Sequence, residues 1–235
     1  FNLARVQLLL GDYKNGWNNY ESRWKKANPT QLHSNKPNLP KWNGTILQPK
    51  EKLLIISEQG LGDTIQYMRY IAYLKHLGID VSFCAQAKLH DLIKTSGIDP
   101  DPLTPEQANS INEGKYLPLL SLPEKLKITP RNPLVTKPYL FSRNELIEKW
   151  SKKLKKEKRP VIGINWQGNP SMERTYPGRS IPLENFSKLL FRDEVSILSL
   201  QKGFGSEQLQ SCSFKEMLVK CQGEVNMTWD FVENL

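Results

Sequence analysis

At 235 residues, 38% hydrophobic and with six tryptophans, the chain can fill real cores and has room for one large domain or two modest ones. No run of about 18 apolar residues occurs, which argues against a membrane-spanning helix. The start Phe1-Asn2-Leu3-Ala4-Arg5 does not read as a signal peptide and lacks an initiator methionine, so the chain is expected to be a cut or processed fragment.

A net charge of +9 suits anionic partners such as phosphates or nucleotides, and equally suits solubility alone. Much of the excess lies in Lys152-Lys153-Leu154-Lys155-Lys156-Glu157-Lys158-Arg159, which reads as a solvated helix end. Nucleic-acid binding is the weaker reading, since no zinc-finger, RRM-like or KH-like pattern accompanies it. The three cysteines, Cys84, Cys212 and Cys221, are odd in number and lack CxxC spacing, which argues against disulfides or a metal and for a reduced, cytoplasmic setting.

Residues 3–26 predict two helices broken at Gly11-Asp12, because Ala4, Leu8, Gly11, Tyr13, Gly16, Trp17, Tyr20 and Trp24 fall at helical spacings. The small and aromatic positions match one helix-turn-helix of the tetratricopeptide kind, and an ordinary helical hairpin fits the spacing as well. One repeat cannot bury its own face, so residues 1–27 are expected to end an array or to cap the next domain. Residues 28–50 turn polar and proline-rich (Pro29, Pro37, Pro40, Pro49) and predict a connector, anchored to a core by Trp42.

A βαβ pattern follows: a buried strand at 53–56, a helix at 64–77 closed by Gly78, then a strand in which Ile79, Val81, Phe83 and Ala85 alternate. A helix at 88–95 ends at Gly97, and the proline-punctuated residues 100–137 hold a strand at 116–120 with loops and short helices. Ser142-Arg143-Asn144-Glu145 spells a capping box opening a helix to about residue 156. The pattern then restarts, with strands at 160–165 and 195–200, a helix at 183–190, and helix starts at 206–210 and 228–234. The predicted fold class is α/β with two Rossmann-like domains, one at 51–141 and a partial one at 159–235, separated by a linking helix at 142–158. Two strands are too few for a complete doubly wound sheet, so part of the second domain is expected to be missing.

Three strand-end turns carry the candidate chemistry. In Glu58-Gln59-Gly60-Leu61-Gly62-Asp63-Thr64 the third glycine of the dinucleotide fingerprint is absent, and so is the Lys-Ser/Thr pair of a P-loop. The turn brings backbone near a polar ligand and sets Asp63 at the usual ligand edge of an α/β sheet. Its carboxylate can take a proton from a hydroxyl or simply cap the helix. Glu58 beside it can orient the loop, touch substrate or form a salt bridge.

The second turn, Asn165-Trp166-Gln167-Gly168-Asn169-Pro170 with Gly178-Arg179-Ser180-Ile181-Pro182-Leu183, has the ingredients of a phosphate cradle. Gly168 allows close approach, Arg179 can fork two hydrogen bonds onto a phosphate, and Ser180 can cap the following helix. A surface ion pair for Arg179 and a core position for Trp166 are the plainer alternatives. Ser199-Leu200-Gln201-Lys202-Gly203-Phe204-Gly205 is the third turn, with a cation in it. Together the three suggest an inter-domain cleft. Isolated His33, His76 and His90 argue against a metal site, and no GxSxG occurs. Asp99-Pro100-Asp101 formally spells a metal-nucleotide DxD motif but lies in a proline-rich stretch and reads as a turn.

The blocks Leu9-Leu10-Gly11-Asp12-Tyr13, Gly16-Trp17, Tyr20-Glu21 and Arg23-Trp24, followed by Glu58-Gln59-Gly60-Leu61-Gly62-Asp63-Thr64, resemble bacterial tetratricopeptide-repeat proteins with a C-terminal glycosyltransferase domain. Gly163-Ile164, Trp166-Gln167-Gly168-Asn169-Pro170, Arg179-Ser180-Ile181-Pro182-Leu183 and Ser199-Leu200-Gln201-Lys202-Gly203 extend the likeness. It covers nearly the whole chain and is vague across residues 99–137. The second part is similar to heptosyltransferases and, more distantly, to O-linked N-acetylglucosamine transferases.

The resemblance implies a GT-B architecture, with the acceptor mainly on the first domain and a nucleotide-sugar donor mainly on the second. It implies that Asp63 is the catalytic base and that Arg179 stands where heptosyltransferases carry a lysine near the donor phosphates. The implied substrate and donor contacts are Glu58, Gln59, Gly60, Gly62, Trp166, Gln167, Gly168, Asn169, Arg179, Ser180, Gln201, Lys202 and Gly203. The family's later Asp-Thr, His-Leu and Gly block has no counterpart before Leu235, so the chain as it stands is expected to bind donor poorly or to be inactive.

The expected activity is inverting, metal-independent sugar transfer from a nucleotide sugar to a glycan, lipid or protein hydroxyl, without a further cofactor. A protein partner on the repeat array is a further expectation. The rival reading is a non-catalytic interaction or sugar-nucleotide-binding module. A nucleotide-binding regulator has only the charge behind it.

Overall fold

In the computed structural model, which describes residues 1–175, 177–189, 194–227 and 231–232, Gly11-Asp12 separate two helices, α1 (Asn2–Leu9) and α2 (Tyr13–Tyr20). Asp12 caps α2 by accepting the Asn15 backbone N–H (3.3 Å) and side-chain amide (2.9 Å). Gly16 is where the helices touch: a Cβ there would lie 2.8 Å from Leu8 Cγ. A 3-10 turn, Glu21–Lys25, continues α2. An aromatic row then runs from Trp17 edge-on to Tyr20 and to Tyr67, with centroids 6.0 and 6.3 Å away.

The chain divides into two compact units, Phe1–Phe141 and Ser142–Leu235. The helix pair belongs to the first. There β1 (Lys52–Ile56) lies between β2 (Asp80–Cys84) and β3 (Lys115–Pro118), all parallel, with Leu53 opposite Val81 and Lys115. Leu53, Leu54, Ile55 and Ile56 are all buried, which explains an apolar run in place of alternation.

The helix predicted at 64–77 begins earlier and is divided, into α3 (Leu61–Tyr67) and α4 (Arg69–His76). The break is a tightened turn at buried Met68, whose carbonyl accepts from the Ile71 N–H three residues on (3.0 Å). Ile71 and Leu74 of α4 are fully buried. Short helices α5 (His90–Thr95), α6 (Pro105–Asn109) and α7 (Leu122–Lys125) complete the unit.

The connector is stitched to this sheet. Leu32 bridges Glu58, Lys41 bridges Tyr116, and Trp42, 4% exposed, donates its backbone N–H to the Tyr116 carbonyl at 2.8 Å.

In the second unit, β4 (Val161–Ile164) and β5 (Ser196–Ser199) pair in parallel, with Ile164 opposite Ser199. Ile164, Trp166, Leu183, Ile197, Cys212 and Phe214 form one core cluster. Trp150 and Leu154 of α8 (Asn144–Leu154) pack in another, with Val219, Cys221, Val225, Val161 and Leu198. The linking helix is thus part of this unit. Its expected capping box does not form: the cap position is Arg143, and Ser142 Oγ donates to the Val232 carbonyl instead (3.2 Å). The loop after β4 holds a helix that the sequence reading lacked, α9 (Pro170–Thr175), and the predicted helix at 183–190 is a 3-10 segment, Leu183–Leu189. A short α10 (Gln222–Val225) follows, and the helix start predicted at 228–234 falls largely outside the described residues.

Among the described residues no helix is long and apolar enough to cross a membrane, and no group of three or more His, Cys, Asp or Glu side chains is placed to hold a metal.

Candidate functional site

The turn after β1 is held from beneath by the helix pair. Glu58 and Arg23 are both fully buried. The guanidinium grips the carboxylate with two hydrogen bonds, Nε to Oε2 at 3.0 Å and a terminal nitrogen to Oε1 at 2.8 Å. Glu58 Oε1 also accepts the Leu120 N–H (3.1 Å), while Arg23 reaches Ser121 Oγ (2.8 Å), Glu21 Oε1 (2.7 Å) and the Tyr20 carbonyl (3.2 Å). The Tyr20 and Trp24 rings lie 4.9 and 4.6 Å from the guanidinium carbon.

Burial alone would lower the Arg23 pKa, but the hydrogen bonds and charge of Glu58 reverse that and raise it. Burial would likewise raise Glu21; Arg23, with hydrogen bonds from Lys41 and Ser121, outweighs it and holds this carboxyl at about 2. The expectation that Glu58 contacts substrate is corrected by this geometry. Its carboxylate is sealed and spent on Arg23 and Leu120, so it orients the loop.

The next residue carries the bend. Gln59, not a glycine, takes the left-handed conformation at φ +62°. It is held there by its side-chain amide on the Tyr20 hydroxyl (3.1 Å) and by its carbonyl, which accepts from Gln86 Nε2 (3.4 Å). Gly60 precedes α3, and its N–H donates to Asp63 Oδ2 at 3.0 Å. Asp63 therefore does cap the helix. Its other carboxylate oxygen has no hydrogen-bond partner among the described residues. A Cβ on exposed Gly62 would meet nothing within 4 Å, so neither packing nor backbone conformation calls for glycine there. Burial raises the Tyr67 and Tyr20 phenols above their ordinary range, and the nearby Asp63 charge adds to both.

In the second unit Gln201 ties two strand-end turns together. It is 4% exposed, and its Oε1 accepts the Trp166 (3.2 Å) and Gln167 (2.9 Å) backbone N–H groups. Its amide nitrogen donates to the Phe204 (2.8 Å) and Gln167 (3.3 Å) carbonyls. Trp166 is a core residue, 3% exposed, with its indole N–H on the Gly205 carbonyl (3.2 Å). Gly205 has φ +93°, and a Cβ there would fall 2.6 Å from Gln167 Cβ. Trp166 and Gln201 thus build the site's frame, and their polar groups are already used.

A cleft of about 550 Å³ opens at the carboxyl ends of β4 and β5. Of the predicted residues it gathers Gln167, Gly168, Asn169, Gln201 and Lys202; Phe204, 59% exposed, lines it too. Gly203 lies in the same turn at φ +64° and is not among the lining residues.

Arg179 and Ser180 do not line this cleft. Ser180 does not cap the next helix either, because the Leu183 N–H is taken by Gln208 Oε1 (2.8 Å). Ser180 Oγ instead accepts from Gly168 N–H (3.2 Å) and Gln167 Nε2 (2.8 Å), and donates to Glu173 Oε2 (2.9 Å). Glu173 Oε1 accepts the Gly178 (2.7 Å) and Arg179 (3.1 Å) N–H groups. A carboxylate thus fills the cradle expected to take a phosphate. The Ser180 hydrogen bond leads the causes that hold Glu173 below the usual carboxylate range. The Arg179 side chain is exposed and makes no hydrogen bond or ion pair among the described residues.

Sequence reasoning missed Arg23, Glu173 and Phe204. Only Phe204, a large apolar residue inside a glycine turn, carried a local signal. No family model matches the chain, no curated protein matches it, and no solved structure matches it.

Proposed function

We propose that the chain is an inverting, metal-independent glycosyltransferase of GT-B type, its two units the Rossmann-like halves and its helix pair tetratricopeptide-like. In this reading the free oxygen of Asp63 takes the proton from an acceptor hydroxyl as that hydroxyl attacks the anomeric carbon of a nucleotide sugar. The leaving nucleotide diphosphate lies in the cleft beside β4 and β5, where Lys202 supplies positive charge and Phe204 an apolar face.

The observation that carries the reading is this cleft, at the strand ends where α/β sheets bind ligands, with the Gln167–Asn169 and Gln201–Lys202 turns both on its wall. The acceptor is a hydroxyl of a glycan, lipid or protein, and the setting is cytoplasmic.

Calorimetry with a panel of nucleotide sugars tests the reading, followed by product analysis with hydroxyl acceptors. Saturable binding of one sugar nucleotide, weakened by Lys202→Glu, is the expected result. Failure of every member to bind would remove the donor site.

A second reading, a binding module without turnover, draws on one specific observation. The Gly168 and Arg179 N–H groups that would steady a departing phosphate are already bonded to Ser180 and Glu173. Binding without any transfer or hydrolysis would favour it.

A further inference from the structure

The first unit holds a second cavity that the glycosyltransferase reading does not use. Its volume is about 720 Å³, within the size range of small-molecule sites. Tyr116 and Pro118 of β3 line it, and Trp24, Lys36 and Lys41 are among the other lining residues. None of the described lining residues is acidic.

Lys36 has no ion pair or hydrogen bond among the described residues and is exposed. Lys41 bonds to Glu21 Oε2 at 2.7 Å, but Glu21 also accepts from Arg23 and Ser121, each at 2.7 Å, through its other oxygen. Lys41 can therefore turn to a new anion and leave Glu21 still paired. An aromatic wall beside two lysines favours a flat or ring-shaped body with a negative group attached.

We propose that this cavity binds a small phosphorylated ring compound, a nucleoside phosphate or a sugar phosphate, at a site sharing no residue with the cleft beside β4 and β5. The phosphate lies between Lys36 and Lys41 and the ring against Trp24 and Tyr116. Because Lys41 and Trp24 both touch the cluster around Arg23, the ligand rests against the same residues that hold the turn leading to Asp63.

Calorimetry on the whole chain with AMP, glucose 6-phosphate and inorganic phosphate tests this. We expect AMP or glucose 6-phosphate to bind saturably and more tightly than inorganic phosphate, and the one that binds identifies the source. Lys36→Glu should weaken that ligand by about tenfold or more, the worth of one charged hydrogen bond. Lys52→Glu, an exposed charge reversal at the amino end of β1, should leave it unchanged and so controls for net charge. No saturable binding by either compound, inorganic phosphate binding equally well, or indifference to Lys36→Glu would each overturn the proposal. This outcome is independent of whether nucleotide sugars bind beside β4 and β5.

Discussion

Arg23 and Glu58 lie 35 residues apart in the chain and meet with neither side chain accessible to water, two parallel hydrogen bonds joining them. One stands in the 3-10 turn that continues α2 and the other in the turn that follows the central strand β1. A buried ion pair of this kind adds little net stability, but removing either partner strands the other charge. Arg23→Met or Glu58→Gln should each destabilise the first unit by roughly 3–5 kcal/mol. The double replacement Arg23→Met with Glu58→Met should cost less than the two singles summed, as urea unfolding will show. Additive losses would mean that the pair does not act as one.

Glu21 gives the same cluster an acid limit. Its carboxyl titrates at about 2 in the folded chain against an ordinary 4.5. A depressed folded value means that the stabilisation is complete above about pH 4.5 and drains away as the pH falls toward 2. Glu21→Gln should be less stable than the parent at neutral pH, with the gap closing through that window. A constant gap from pH 7 to 2 would show that Glu21 is not responsible.

Asp63 has two separable jobs, and two substitutions divide them. Asp63→Asn keeps an oxygen for the Gly60 N–H and should leave thermal stability nearly unchanged, whereas Asp63→Ala should lose about 1 kcal/mol of capping. If transfer is catalysed as proposed, both should lower turnover by about 10²–10⁴-fold, the range for a general base. Near-normal turnover in Asp63→Asn would restrict the residue to capping.

The second unit should be most sensitive at its clamp. Gln201→Leu leaves the Trp166 and Gln167 N–H groups without their acceptor, for a loss on the order of 2–4 kcal/mol. Gly205→Ala should cost roughly 1–3 kcal/mol by overpacking, because its new methyl falls 2.6 Å from Gln167 Cβ. Denaturant midpoints measured by tryptophan fluorescence would report both. Either substitution should also loosen the cleft and weaken any ligand found there.

The strands were readable because their cause is local. Leu53-Leu54-Ile55-Ile56 is an unbroken apolar run, and Ile162 and Ile197 lie in short β-branched stretches close to proline or charged residues. The places where reading failed depend on distant partners. Nothing near Glu58 announces Arg23, and nothing near Gln201 announces that four backbone groups of two turns will consume its amide. Ser142-Arg143-Asn144-Glu145 has the letters of a capping box, but Ser142 finds the Val232 carbonyl instead. Ser180 stands before a helix in the sequence and is held by Glu173 of α9 instead. The cleft residues at 167–169 and 201–202 were legible as strand-end turns; the carboxylate already lodged at 178–180 was not.

All three thiols are buried, Cys84 in the first unit and Cys212 and Cys221 in the second. Burial drives the Cys84 pKa up to about 11 and raises the other two, so each is screened from alkylating reagents both by packing and by scarcity of thiolate. The chain therefore carries its own clock for opening. Under a mass-tagged reagent, a first mass step of one label records the first unit letting go, and a step of two records the second. Simultaneous labelling at three positions would mean that the whole chain comes apart in a single event.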